Sequence, residues 1–433
     1  MKKTILYILT FVFAGISVLA QTPQPAKPQT QAILLKNGVA HLGNGKVIQN
    51  ALIGFDNGKI TLVADATRTK IDIAGYKEID IQGQHVYPGF ILPNSQLGLE
   101  EVSSIGAMDD ANEAGEIKPN VRSLIAYNTD SKITPTLRYN GVLIAETTPI
   151  GGRISGTSSV MNLEGWNWED AALKPDIGVH LNWPQKMSRR FDFETFTVKT
   201  EPNKKYDDQV KELDAFFLDA LSYSKLTNKD RNLKLESMGK LFSGDKILFI
   251  HAGGAKEIVE SVKFAQEHGV VKIVILAGDE ALDVATFLAE NKIPVILPPT
   301  HALPNNEDID VYLPFKMPFL LTKAGVIVAL SHEGMLANAR NLPFYAGSAA
   351  AYGLSKEEAI QLVTLNAAKA LGIDDQVGTL EEGKRATLFV SKGDAMDMMS
   401  NNLSYAFVDG KQIVLDNEQQ ALYKRYSEKY KNE

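Results

Sequence analysis

The chain has 433 residues, of which 44% are hydrophobic and 22% charged, and carries a net charge of −7. This mildly acidic balance excludes the basic surface of a nucleic-acid binder and the polybasic patch of a membrane-surface anchor. Cysteine is absent, which removes disulfides, thiolate metal sites and lipid attachment; the length suits one large domain plus a smaller one.

Met1-Lys2-Lys3-Thr4 is a short basic start, Ile5 to Leu19 is almost wholly apolar, and Val18-Leu19-Ala20 offers a small-residue cleavage signal. The pattern predicts a secretory signal peptide over 1–20, because the apolar run is short for a membrane span. Export then places the protein in the periplasm of a double-membraned bacterium, or outside a single-membraned one, with no membrane anchor. Gln21 to Gln31, rich in Pro, Gln and Thr, reads as a flexible linker.

Short β-runs follow. Ala32-Ile33-Leu34-Leu35, Ala51 to Phe55 and Lys59 to Val63 are the clearest, with Asp56-Asn57-Gly58-Lys59 as a hairpin turn. Tyr87-Pro88-Gly89-Phe90-Ile91-Leu92 then reads as a turn feeding a buried strand. Further along, strand and helix alternate: Lys246 to Ile250, a helix over about 255–268, Val271 to Leu276, a helix near 281–291, Pro294 to Leu297, and Val326 to Leu330. Such repetition implies a parallel sheet. Ser355-Lys356-Glu357-Glu358 opens a helix as a capping box. Strands return at Val377 to Leu380, Ala386 to Val390 and Tyr405 to Val414, the last turning at Asp409-Gly410. Strands at both chain ends are too few to stand alone but can pair into one small β-domain.

Three stretches carry a family likeness: Pro88-Gly89-Phe90-Ile91, the helical run Leu354 to Gly372 containing Thr364-Leu365-Asn366-Ala367-Ala368-Lys369-Ala370, and Gly378-Thr379-Leu380-Glu381-Glu382-Gly383-Lys384-Arg385-Ala386. Together they resemble the amidohydrolase superfamily, in the flavour of its imidazolonepropionase-like exported group. The likeness runs from about Ala32 to Val414 and fits poorly between Glu164 and Lys240. It implies an α/β chain built as a (β/α)₈ TIM-like barrel over 88–375, a composite β-sandwich from 32–87 with 376–415, and a C-terminal helix over 416–433. It also implies a hydrolase of non-peptide C–N bonds that uses a metal to make hydroxide.

The site positions depart from that pattern. Where the family has Asp-x-His-x-His after the first strand, this chain has Asn94 and Gln96, and carboxamides are poor ligands for a transition metal. His251, ending the strand Ile247 to Ile250, matches the fifth-strand metal ligand; the alternative is a structural histidine at a helix start. The sixth strand ends in Ala277-Gly278-Asp279-Glu280 without a histidine, and those carboxylates suit a helix N-terminus. At the eighth strand the family's catalytic Asp falls on Ser331 or His332, so His332 is the candidate base. Asn94, Gln96, Arg153 in its Gly-rich loop, His301 and Arg340 are candidates for substrate contact. His41, His85, His180 and His268 read as structural.

A single zinc ion is the cofactor in question, and one matching histidine falls short of the three protein ligands of a catalytic site. Two functions stand side by side: a C–N hydrolase, or an inactive barrel that binds a small-molecule ligand or partners an active paralogue. A homo-oligomer is implied by family analogy alone.

Overall fold

The computed structural model describes residues 24–68, 74–102, 105–192, 196–304 and 308–431. The expected signal segment lies outside the described residues, as does the start of the linker. No helix among the described residues is long and apolar enough to cross a membrane.

Both chain ends build one mixed eight-stranded sheet. Strands β1 (Ile33–His41), β2 (Val47–Asp56) and β3 (Lys59–Asp65) form a meander, and β4 (Lys77–Asp80) and β5 (His85–Pro88) run parallel to β1. The turn between β2 and β3 has Asn57 at φ 49° and Gly58 at φ 77°, the left-handed pair a two-residue hairpin needs. The C-terminal strands join this sheet because Leu388 to Ser391 pairs antiparallel with β5. Ile33, Ile53, Phe55, Val86, Val390 and Phe407 form its core.

The second sheet is the barrel. Its order is β6 (Phe90–Ser95), β7 (Val142–Thr147), β8 (Ile154–Asn162), β9 (Ala172–Asn182), β12 (Ile247–His251), β13 (Ile273–Leu276), β14 (Val295–Leu297) and β15 (Val328–Leu330). Between β9 and β12 lie the hairpin β10 (Met187–Asp192) and β11 (Thr197–Pro202) and the helices Tyr206–Lys225 and Leu233–Ser243. No ladder joins β15 to β6 among the described residues; the Ile91 N–H instead reaches the Val363 carbonyl at 2.8 Å.

One strand breaks the expected all-parallel pattern. β8 runs antiparallel to both β7 and β9. The six residues from Thr148 to Arg153 are too few for a parallel crossover, which needs a dozen or more. Gly151 and Gly152 sit at φ 79° and 69°, and a side chain on Gly152 would meet the Gly115 carbonyl at 2.7 Å. The Gly-rich loop carrying Arg153 is therefore a reversal of the chain.

Two further expectations change. Val377 to Leu380 forms no strand, although the Leu380 N–H still bonds the Leu42 carbonyl at 3.0 Å. The predicted helix near 281–291 splits into a 3₁₀ segment Asp279–Val284 and a short helix Ala285–Glu290. The capping box at Ser355 forms as expected, with reciprocal bonds to Glu358. A helix over Glu418–Tyr430 closes the chain.

At the end of the barrel remote from the C-termini of its parallel strands, Arg138 pairs with Glu164, their side chains 11% and 6% exposed. Glu164 also accepts the Ala26 N–H at 2.6 Å, tying the N-terminal segment down. The Glu164→Ala variant strands a buried guanidinium and is expected to cost about 3–5 kcal/mol. Equilibrium urea unfolding measures it, and a loss below about 1 kcal/mol contradicts the assignment.

Candidate functional site

Four polar side chains form a continuous chain inside the barrel. Glu146 on β7, Ser158 on β8 and His180 on β9 are each 0% exposed. Glu146 Oε2 accepts the backbone N–H of Asn94 at 2.8 Å, and its Oε1 accepts the Ser158 hydroxyl at 2.7 Å. His180 Nε2 lies 3.1 Å from Glu146 Oε1 and 3.0 Å from Ser158 Oγ. His180 Nδ1 lies 3.0 Å from His251 Nε2. Asn94 reaches its place with φ at 50°, a left-handed conformation that asparagine tolerates better than most residues.

The partners set an order for the protons. The Ser158 hydrogen is spent on the carboxylate, so His180 Nε2 donates. The tautomer in which His251 Nε2–H donates to His180 Nδ1 continues this chain of hydrogen bonds. His251 Nδ1 is the ring nitrogen left over, and it has no bond to a described residue. Burial, with a smaller contribution from His180, pulls the His251 pKa down to about 3, so the ring is neutral at ordinary pH. His180 is further held by stacking on Phe249, centroids 4.7 Å apart.

His251 opens into a cavity of about 260 Å³ at the C-terminal ends of the strands, lined also by Asn94, Asn182, Trp183, Ser331 and Glu333. This is the face on which such barrels carry their sites. Glu333 keeps contact with solvent, yet partial burial raises its carboxyl pKa. A second cavity, about 460 Å³, lies by Thr134, Arg138 and the C-terminal helix and shares none of these groups.

The sequence-selected residues disperse. Asn94 and His251 line the cavity; Gln96, Arg153, His301, His332 and Arg340 do not. Arg153 is held by Glu212 at 2.6 Å and Glu116 at 3.4 Å. Arg340 donates to the Ala337 carbonyl at 2.9 Å. His301 bonds Ser348 at 2.7 Å and meets Tyr345 edge-on. His332 has both nitrogens committed: Nε2 donates to the Met335 carbonyl and Nδ1 accepts from Tyr345, each at 2.9 Å. Conversely, the buried chain contains Glu146, which the sequence pattern does not single out, and His180, which reads in sequence as structural. Glu146 directly follows the apolar run Val142 to Ala145, and His180 stands between Val179 and Leu181.

The donors present do not fit the metal that the family uses. His251 Nε2 faces His180, His180 Nε2 is taken by Glu146 and Ser158, and the ends of β6 and β15 offer Asn94 and Ser331. No group of three His, Cys, Asp or Glu side chains able to hold an ion occurs among the described residues, whereas catalytic zinc takes three protein ligands.

Comparison with known proteins places this architecture. The amidohydrolase family model matches residues 145–413, well over half of the chain. The chain belongs to the amidohydrolase family. It is 21% identical over 392 residues to the imidazolonepropionase of Clostridium tetani, spanning 85% of this chain and 90% of that one. A 5-methylthioadenosine/S-adenosylhomocysteine deaminase from Teredinibacter turnerae is 31% identical over 119 residues, 22% of this chain and 27% of that one. A solved amidohydrolase from Thermotoga maritima superposes with a TM-score of 0.76 at 24% identity, covering 88% of this chain and 99% of its own. Within this amidohydrolase barrel, then, the strand ends that carry family chemistry carry Asn94, His251 and Ser331.

The neutral His251 has a consequence for stability. In the unfolded chain its pKa returns to about 6.5, against about 3 when folded. The unfolded state therefore takes up a proton first, and the stability held above pH 6.5 is lost progressively as pH falls toward 3. Urea midpoints measured between neutral and acid pH are expected to fall less steeply in His251→Gln. An unchanged slope contradicts a neutral His251.

Proposed function

We propose that this amidohydrolase-family barrel binds a small nitrogen-containing molecule at its mouth and does not perform the metal-hydroxide hydrolysis of C–N bonds that its family resemblance implies. One observation carries the reading. The nitrogen of His251 that turns inward is engaged with His180, and the position before it in the ligand set is Asn94, whose backbone serves Glu146. The donors a metal needs are thus absorbed by the buried network. The names of the relatives, an imidazolonepropionase and a deaminase, support a nitrogenous ligand.

The cavity suits a small ligand, since about 260 Å³ lies just under the usual range of roughly 300–1,000 Å³ for drug-sized sites. Binding replaces water around Asn94, Asn182, Ser331 and Glu333, so the ligand must return those hydrogen bonds.

A second reading takes the same chain, a carboxylate and two imidazoles ending at His251 Nδ1, as a general base, though a weak one, because burial holds the His251 pKa at about 3 and a base works best with a pKa near the operating pH. Hydrolysis would then proceed with His251 taking a proton from water, and would survive chelators.

Metal analysis separates both from the family's ordinary chemistry. Protein from zinc-supplemented culture is expected to hold less than about a tenth of an equivalent, with no loss of thermal stability in chelator. Stoichiometric zinc that disappears in His251→Ala contradicts the proposal.

A further inference from the structure

The chemistry of the cavity wall defines the kind of ligand, an inference that rests on the binding reading above. Among the described residues, no lysine or arginine lines the cavity. The groups whose hydrogen-bonding sign is fixed all accept. His251 Nδ1 is bare because its Nε2 is committed to His180. Asn182 Nδ2 donates to the Gly152 carbonyl at 2.7 Å and to Ser155 Oγ at 2.9 Å, so both amide hydrogens are spent and Oδ1 remains. Rotating that amide would set its oxygen against a carbonyl. Glu333 supplies a carboxyl group whose pKa burial alone shifts, with no cation contributing.

Two donor groups beside the cavity that would attract an anion are engaged within the protein. The Trp183 indole N–H is given to Tyr206 at 3.2 Å. The N-terminus of helix Ala255–Glu267, ordinarily an anion site, is closed by the protein's own carboxylates. Gly254 N–H donates to Glu257 at 3.1 Å and Ala255 N–H to Glu280 at 2.8 Å.

We propose that the cavity selects a small cation bearing several N–H donors, an amidinium or guanidinium, bound against His251 Nδ1, Asn182 Oδ1 and the Glu333 carboxylate. A planar amidinium offers N–H groups on two nitrogens, so it can serve a carboxylate and a neutral acceptor together. An anion in the same place meets Glu333 with no compensating cation. Glu146, Ser158 and His180 act as positioning residues: they hold the His251 tautomer that leaves an acceptor facing the ligand.

Calorimetric titration with benzamidine, benzamide and benzoate tests this, because the three are nearly the same size and differ in charge and donors. Benzamidine is expected to bind at least about tenfold more tightly than benzamide, with benzoate weakest. The Glu333→Gln variant, altered at a solvent-accessible loop position, is expected to reduce that preference by about tenfold. Equal or tighter binding of benzamide or benzoate overturns the ligand class while leaving a ligand-binding cavity in place. A benzamidine preference untouched in Glu333→Gln, or no binding of any of the three at about 10 mM, a weaker limit than the 1 mM end of ordinary affinities, also overturns it. Zinc content on the same sample decides the metal question separately.

Discussion

A carboxylate buried at the centre of the barrel constrains everything around it. Glu146 has no access to solvent, and a charge there persists only if its oxygens are supplied with donors. The backbone of Asn94, the hydroxyl of Ser158 and the ring of His180 supply them. The first four barrel strands are thereby committed to one another through a single side chain. The fifth enters the same network, because His180 in turn fixes the proton of His251.

This network satisfies the barrel's inward-facing polar groups through hydrogen bonds among themselves. In a metal site the ion neutralises and orders the surrounding side chains. Here Glu146 orders the inward-facing groups by hydrogen bonds, and the imidazoles serve each other. What remains at the mouth is a set of acceptors and amides with no fixed cation, a surface that asks for donors from its ligand. Structure and charge point the same way, since the donors on the neighbouring helix end are also occupied from within.

Much of the architecture was legible in the chain. The Pro88-Gly89-Phe90 turn, the Asn57-Gly58 hairpin, the Ser355 capping box and His251 at a strand end are local signals, and local chemistry decides them. The antiparallel β8 was not legible, because apolar β-runs look the same in either direction and only the short link from Thr148 to Arg153 tells them apart. That reversal, together with the β10–β11 hairpin, hid β9 and with it His180. Glu146 carries no local mark of function, since its partners lie on three other strands. For His332 the type of residue was informative, but its surroundings were not: Tyr345 and the Met335 carbonyl, which engage both nitrogens, become neighbours only in the fold.

The direct test is a crystal structure grown with zinc present, with anomalous data collected at the zinc edge. The account predicts no anomalous peak within bonding distance of His251, and His180 Nδ1 in hydrogen-bond contact with His251 Nε2, close to the 3.0 Å described here. A strong peak seated between the two imidazoles, with a third protein ligand drawn in, would contradict it.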